Sequence, residues 1–164
     1  MDSRVIDRPA FRLVGYATRV PLVRQGVNPH IRRHVAALSD EEHRRLKDLS
    51  DTEPTGLLAV SDDLDPDLVD GSELTYLHGV AVSRDAPAAD GLDAIEVPAG
   101  TWAVFRATGL YPEALRETWA AIASEWFPSN RWRLRPGPEI VAVVERGADS
   151  STGTYELWLP VEPI

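Results

Sequence analysis

The stretch 96–105, Glu-Val-Pro-Ala-Gly-Thr-Trp-Ala-Val-Phe, combines a proline and a glycine with a following run of β-branched and aromatic residues. This composition predicts a strand from Thr101 to Thr108. Pro112 then suits the start of a helix, which is expected to run to about Phe127 and to end at Pro128. Two more strands follow, over residues 139–145 and 154–161. The second half of the chain therefore has the order strand, helix, strand, strand.

The first half of the chain repeats this order. A strand is predicted over 11–20, and Asn28 and Pro29 predict a helix start, because asparagine caps a helix and proline suits its first position. Ser39 and Glu42 form a capping box for a second helical stretch, which is either a separate helix or the continuation of a kinked one. Two strands and a connector complete the half, over residues 57–61, 74–83 and 84–100, with an extended piece at 95–97.

Matches between the two halves support an internal duplication. A shift of 90 residues aligns three identical pairs in the first strands, and a shift of 79 aligns three in the last strands. The pairs are Val14 with Val104, Ala17 with Ala107, Thr18 with Thr108, Thr75 with Thr154, Tyr76 with Tyr155, and Val82 with Val161. We therefore predict an α+β fold of duplicated β-α-β-β units with pseudo-twofold symmetry. Its antiparallel sheet would carry the helices on one face, with a central ligand groove. A single domain would span 1–164, with halves at about 11–83 and 101–162 and the connector 84–100 between them.

The composition excludes several classes of function. The net charge is −9, with one lysine among 17 basic residues, and such a field repels a phosphate backbone. The chain has no cysteine, which excludes disulfides, thiol nucleophiles and thiolate metal sites. Its charged first ten residues lack the apolar core of a signal peptide, and no apolar run could span a bilayer. We expect a cytoplasmic protein with no direct nucleic-acid or membrane partner.

Six segments, taken in order, form a recognisable set. They are Phe11–Leu22, His78–Val82, the stretch 96–105, the helix end Trp119–Pro128, the strand start Gly137–Ile140 and the closing strand Glu156–Val161. Together they resemble the GyrI-like, or effector-binding, family of small-molecule binding domains. The resemblance implies a ligand-binding domain, which many relatives fuse to a helix-turn-helix that reads DNA. The residues before the first strand are too few for that module, so we expect a stand-alone member.

Glu139 matches the pocket glutamate of this family. A carboxylate that opens an apolar strand is unusual, because desolvating its charge costs several kcal/mol unless something compensates it. A cationic ligand would compensate the charge, and the pKa of the carboxyl group should be raised without one. The alternative is a structural glutamate that bonds to the backbone or to Arg133 or Arg135.

Aromatic side chains are the second group of candidates for the site. Five tryptophans in 164 residues offer flat faces that suit planar or cationic ligands. The ligand-binding candidates are Trp102, Tyr76, Tyr155, Trp119 and Trp132. The alternative for each of them is core packing, which is the interpretation preferred for Trp126.

Metal and nucleotide chemistry find little support in the sequence. His30 and His34 have the spacing of two zinc ligands on a helix, but they lie on an arginine-rich face that is expected to be solvated. The acidic stretch that begins at Asp63 lacks the glycine and the final glutamate of a calcium loop. No serine-hydrolase elbow, phosphate loop or dinucleotide fingerprint occurs. We expect no metal and no cofactor.

Three functions remain open at this point. The first is a multidrug-type binding protein for hydrophobic, planar or cationic molecules, acting as a sensor or by sequestration. The second, from the resemblance of some relatives to hydrolases of cyclopropane-containing DNA alkylators, is an enzyme in which Glu139 activates water and Tyr76 or Tyr155 polarises the electrophile. The third is an interaction module whose partner is gyrase or a separate regulatory protein.

Overall fold

The computed structural model describes residues 1–24, 26–149 and 151–164. In chain order its elements are β1 (Ser3–Arg8), β2 (Phe11–Pro21), α1 (Pro29–Ala36), α2 (Asp40–Leu49), β3 (Leu58–Asp62), β4 (Glu73–Ser83), β5 (Asp93–Val97), β6 (Gly100–Leu110), α3 (Glu113–Ala121), a π-helical turn (Ile122–Trp126), α4 (Phe127–Ser129), β7 (Trp132–Leu134), β8 (Glu139–Arg146) and β9 (Thr152–Pro163). They form two compact units: the amino unit, Ala10–Pro98, and the carboxy unit, Met1–Pro9 with Ala99–Ile164. None of the helices in the described ranges is long and apolar enough to cross a bilayer.

Each unit is built on an antiparallel sheet. The strand order in the amino unit is β3-β4-β2-β5. In the carboxy unit it is β1-β6-β9-β8, and β7 pairs with β9 beyond the end of β8. The predicted α+β class, with strand, helix, strand and strand in each half, is confirmed. The ligand groove at the centre of the fold stays a prediction.

Helices cover one face of the sheet in each unit. In the amino unit the fully buried Leu46 of α2 packs on a cluster of sheet residues: Val14, Val80 and Val82. In the carboxy unit Ile122 packs on a second cluster: Ala103, Phe105, Leu157, Leu159 and Val161. Burying a side chain such as Leu46 stabilises the fold by about 1.5–3 kcal/mol. These clusters follow from the period-2 alternation of apolar residues along β2, β4, β6 and β9.

The two helices of the amino unit are separate, and side chains cap both of them. The Oδ1 atom of Asn28 accepts hydrogen bonds from the backbone N–H groups of His30 and Ile31, at 3.0 and 3.4 Å. Ser39 and Glu42 bond reciprocally to each other's backbone N–H groups, as the capping box predicts. Ser39 has an extended backbone, so the helical hydrogen-bond pattern stops there and a new helix begins.

The repeat is present in the strands, but one predicted shift is wrong by a single residue. Val14 pairs with Val80 in the amino unit, and the 79-residue shift takes Val80 to Leu159. Leu159 pairs with Ala103, so Ala103, and not Val104, is the counterpart of Val14. Side chains alternate between the faces of a sheet, so the 90-residue shift exchanged the helix-covered face for the opposite one.

Three further features differ from the predicted elements. β1 and β7 were not predicted; β1 is charged and largely exposed, and its pairing depends on the neighbouring edge of β6. The helix after Pro112 is not regular, because the π-helical turn interrupts it. It also continues past Pro128 to Ser129, since a proline is tolerated in the first turn of a helical segment.

Candidate functional site

Glu139 begins β8 at a break in one edge of the carboxy unit's sheet. β7 and β8 pair with successive parts of β9, and residues 135–138 connect them. Gly137 has a φ of +154° in this connection, a conformation that favours glycine, and the next residue, Pro138, is buried. The connection therefore brings Glu139 onto the sheet immediately after a conformationally restricted turn.

Glu139 lies on the helix-covered face of the sheet. Side chains two residues apart on a strand point to the same face, so Glu139 shares its face with Val141. Val141 packs against the buried cluster around Phe105 and Ile122. Three half-buried tryptophans pack against the same cluster: Trp119, Trp126 and Trp132. The carboxylate and partly accessible indole rings therefore occupy one face of this unit.

The carboxylate of Glu139 has no compensating partner among the described residues. The two arginines that could have neutralised it bond elsewhere. Arg133 donates to Glu162 at 2.9 Å, and Arg135 donates to the carbonyls of Thr101 and Val161. Burial raises the pKa of Glu139 to about 7, because loss of water penalises the charged form. The raised pKa expected from the sequence is confirmed.

Trp102 lies on the opposite face of the sheet from Glu139, since it alternates with Ala103 and Phe105 along β6. Its side chain is fully buried. The ring is tilted against Trp158, with centroids 5.9 Å apart, and the guanidinium carbon of Arg135 lies 5.1 Å from the ring centroid. Such a cation–π contact already occupies part of the aromatic surface that a cationic ligand would need.

Tyr155 is on the same face as Glu139 but at the other end of β9. It pairs with Val143, four residues from Glu139, which corresponds to about 13 Å along a strand. Its ring contacts Tyr111, with centroids 5.7 Å apart, and it is buried. The structure therefore brings Trp119 and Trp132 to the face of Glu139 and places Tyr155 on that face about 13 Å farther along the strand.

Tyr76 belongs to the amino unit, where it joins a group of histidines. Its ring meets His34 edgewise at 6.0 Å, and its hydroxyl oxygen lies 3.4 Å from Nδ1 of His78. His78 also meets His43 edgewise at 5.2 Å. Burial, with His43 and His34 adding repulsion, lowers the pKa of His78 to about 4. This half-buried histidine is not among the site residues predicted from the sequence, although a histidine inside the apolar strand 74–83 is an available signal.

The two histidines with the spacing of zinc ligands differ in their surroundings. His30 is exposed, and Nε2 of His34 is hydrogen-bonded to the carbonyl of Tyr16 at 2.8 Å. Across the described ranges, no three histidine, aspartate or glutamate side chains are grouped so that they could hold a metal ion.

Comparison with known proteins gives the family. The model of the GyrI-like small molecule binding domain matches residues 1–162. The chain belongs to the GyrI-like family. No curated protein sequence matches this GyrI-like chain.

Solved structures share the GyrI-like fold at low sequence identity. SAV2435 bound to tetraphenylphosphonium has a TM-score of 0.70 and 18% identity over 99% of this chain and 94% of that one. EcmrR in a complex with DNA has a TM-score of 0.67 and 15% identity over 99% of this chain and 58% of EcmrR. A hydrolase from Listeria innocua has a TM-score of 0.53 and 11% identity over 98% of this chain and 91% of that one.

Proposed function

We propose that this GyrI-like domain binds lipophilic cations that carry aromatic groups, with Glu139 as the counter-charge and with Trp119 and Trp132 as aromatic contacts. The observation that carries this proposal is the half-buried carboxylate of Glu139, which has no partner among the residues that the structure describes. An unpaired buried charge costs several kcal/mol, and a bound cation would restore a partner in a site of low dielectric. Half-buried indole rings on the same face would receive the aromatic groups and add cation–π attraction.

The relatives support this ligand class, because one of them, SAV2435, is bound to the lipophilic cation tetraphenylphosphonium. EcmrR forms a complex with DNA, and this chain corresponds to 58% of that protein. By analogy, we propose that the domain acts as a sensor or by sequestering its ligand, as a multidrug-type binding protein, possessing no DNA-reading function of its own. The net charge of −9 favours the approach of cations from solution.

The direct test is calorimetric titration with tetraphenylphosphonium and with a rhodamine-type dye. The parent protein should bind both at roughly micromolar affinity. Glu139→Gln keeps the shape and removes the charge, so it should weaken cation binding by about 1–3 kcal/mol, or roughly 5- to 150-fold. The neutral triphenylmethanol should bind parent and variant equally.

Glu145→Gln is the matched control, because Glu145 is an exposed carboxylate on the same strand. It changes the net charge by the same amount and should leave cation affinity within about twofold. Equal affinity of the Glu139→Gln variant and the parent for every cation tested would remove Glu139 from the site. Absence of binding to the whole panel would end the proposed function.

The pH dependence provides a second readout. Raising the pH through about 7 ionises Glu139, so cation affinity should increase with pH over that interval and level off above it. The Glu139→Gln variant should show a flat profile. A parent profile that is equally flat would mean that this carboxylate does not neutralise the ligand.

A second candidate function rests on the same carboxyl group. A pKa of about 7 suits a general base at neutral pH, and one structural relative is a hydrolase from Listeria innocua. We would then expect Glu139 to activate water toward a reactive cyclopropane compound. Mass analysis of such a compound after incubation decides between the two, since turnover that Glu139→Gln abolishes indicates an enzyme and intact ligand indicates a receptor.

A further inference from the structure

The helical segment over the Glu139 face contains one residue more than a regular helix needs. In an uninterrupted α-helix Trp126, seven residues after Trp119, would stand almost directly above it, because seven residues make nearly two turns. The π-helical turn Ile122–Trp126 breaks this relation. An inserted residue rotates the side chains that follow it by about 100° around the helix axis. Turns of this kind occur frequently at functional sites.

The contacts of Trp126 show where that rotation leaves the ring. Trp126 meets Phe105 edgewise, with centroids 5.0 Å apart, and it meets Phe127 at 5.2 Å. Phe105 is on β6, whereas Glu139 is on β8, and β9 lies between those strands. Two interstrand spacings separate Phe105 from the β8 edge, which is about 10 Å. Trp126 is therefore held over β6, on the same face as Glu139 but about 10 Å across the sheet from β8.

We propose that the π-helical turn determines the size of cation that the Glu139 site accepts. By holding Trp126 against Phe105, it leaves the part of this face nearest Glu139 to Trp119 and Trp132. With a regular helix, Trp126 would rejoin the line of Trp119 and reduce the room for a ligand there. The inference rests on the proposed function, because it concerns the same site.

The test removes the extra residue. Ser124 is exposed within the turn, and its deletion lets the segment close into a regular α-helix. Tetraphenylphosphonium affinity should fall at least about tenfold, whereas the smaller trimethylphenylammonium should keep its affinity within about threefold. Trp126→Leu in the deletion background should restore tetraphenylphosphonium binding to within about threefold of the parent, because the obstructing ring is gone.

Ser124→Ala is the control for the deletion, since it keeps the chain length and should bind like the parent. Unchanged tetraphenylphosphonium affinity after deletion, or a loss that Trp126→Leu does not restore, overturns the proposal. Should the deletion variant not fold, Trp126→Leu in the full-length chain decides instead. It should leave affinity within about threefold, and a loss above tenfold would place Trp126 in the site and contradict the inference.

Failure of this inference and failure of the proposed function give different results. If the parent binds tetraphenylphosphonium and Glu139→Gln weakens that binding, the function stands whatever the deletion does. If the parent binds no cation of the panel, the function fails, and the size selectivity fails with it.

Discussion

The two units share one plan of strands and helices, but their half-buried ionisable groups, Glu139 and His78, lie at different points of that plan. Glu139 and Ile140 of the carboxy unit correspond through the strand register to Leu57 and Leu58 of the amino unit. The 79-residue shift takes His78 of the amino unit to Leu157. Each unit therefore has a leucine where the other has an ionisable side chain. The shared apolar pattern maintains the fold, so a single position in one copy is free to acquire chemistry that its counterpart lacks.

Burial acts on these two groups in opposite directions along the pH scale. It raises the pKa of Glu139 to about 7 and lowers the pKa of His78 to about 4. In both cases loss of water favours the neutral form, which is the protonated carboxyl for glutamate and the unprotonated ring for histidine. High pH therefore destabilises the carboxy unit, and low pH destabilises the amino unit.

The units also differ at one cross-strand pair, where the amino unit has two glycines in register. Gly15 pairs with Gly79, whereas the corresponding residues of the carboxy unit are Val104 and Trp158. A Cβ atom on Gly79 would clash with the backbone of Val14. Gly79→Ala should therefore destabilise the protein by about 3 kcal/mol, as measured by urea unfolding.

Gly100→Ala is the matched substitution in the carboxy unit. The three atoms nearest to a Cβ atom there all belong to the guanidinium group of Arg135, the nearest at 2.7 Å, and a side chain can shift more easily than a backbone. Its cost should stay below about 1 kcal/mol. Equal costs for the two substitutions would mean that the close backbone approach of β2 and β4 is not specific to the amino unit.

The pH dependence of stability should differ between the parent and Glu139→Gln. The pKa of Glu139 rises from an ordinary value of 4.5 to about 7 on folding, so the parent should lose stability as the pH increases from 4.5 to 7. The loss amounts to about 3 kcal/mol for a shift of this size. Glutamine cannot ionise. The free energy of unfolding of the variant, relative to that of the parent, should therefore increase by about the same amount between pH 4.5 and 8.5, as measured by urea unfolding. If the difference in stability between variant and parent did not change with pH, the burial of the Glu139 charge would be contradicted.

The corresponding effect in the amino unit has the opposite sign and a smaller size. The pKa of His78 falls from 6.5 to about 4 on folding, so the parent should lose stability as the pH decreases from 6.5 to 4. Because the ring is partly exposed and screened, we expect a loss of about 2 kcal/mol. The His78→Gln variant should not show this loss of stability at low pH. The His30→Gln variant, changed at an exposed position, should still show it. Identical acid profiles for the two variants would show that His78 does not titrate as predicted.

Local chemistry accounts for the parts of the fold that the sequence predicts well. The caps at Asn28 and at Ser39 depend on residues within three positions of each other, so their hydrogen bonds can be read along the chain. The raised pKa of Glu139 follows from a carboxylate that opens an apolar strand. β1 was missed because its charged sequence carries no apolar alternation, and only the free edge of β6 gives its backbone a partner.

The sequence by itself determined the family and the α+β order of elements, and it predicted a role for Glu139, because each depends on residue types at short spacings. Tertiary structure alone decided which aromatic rings share the face of that carboxylate. It placed Trp119 and Trp132 there and buried Trp102 on the other face. It also determined the one-residue offset between the first strands of the two halves and the position of the π-helical turn. Strand register and helix phase are set by packing between distant segments, and a shift of one residue in either moves a side chain to a different surface.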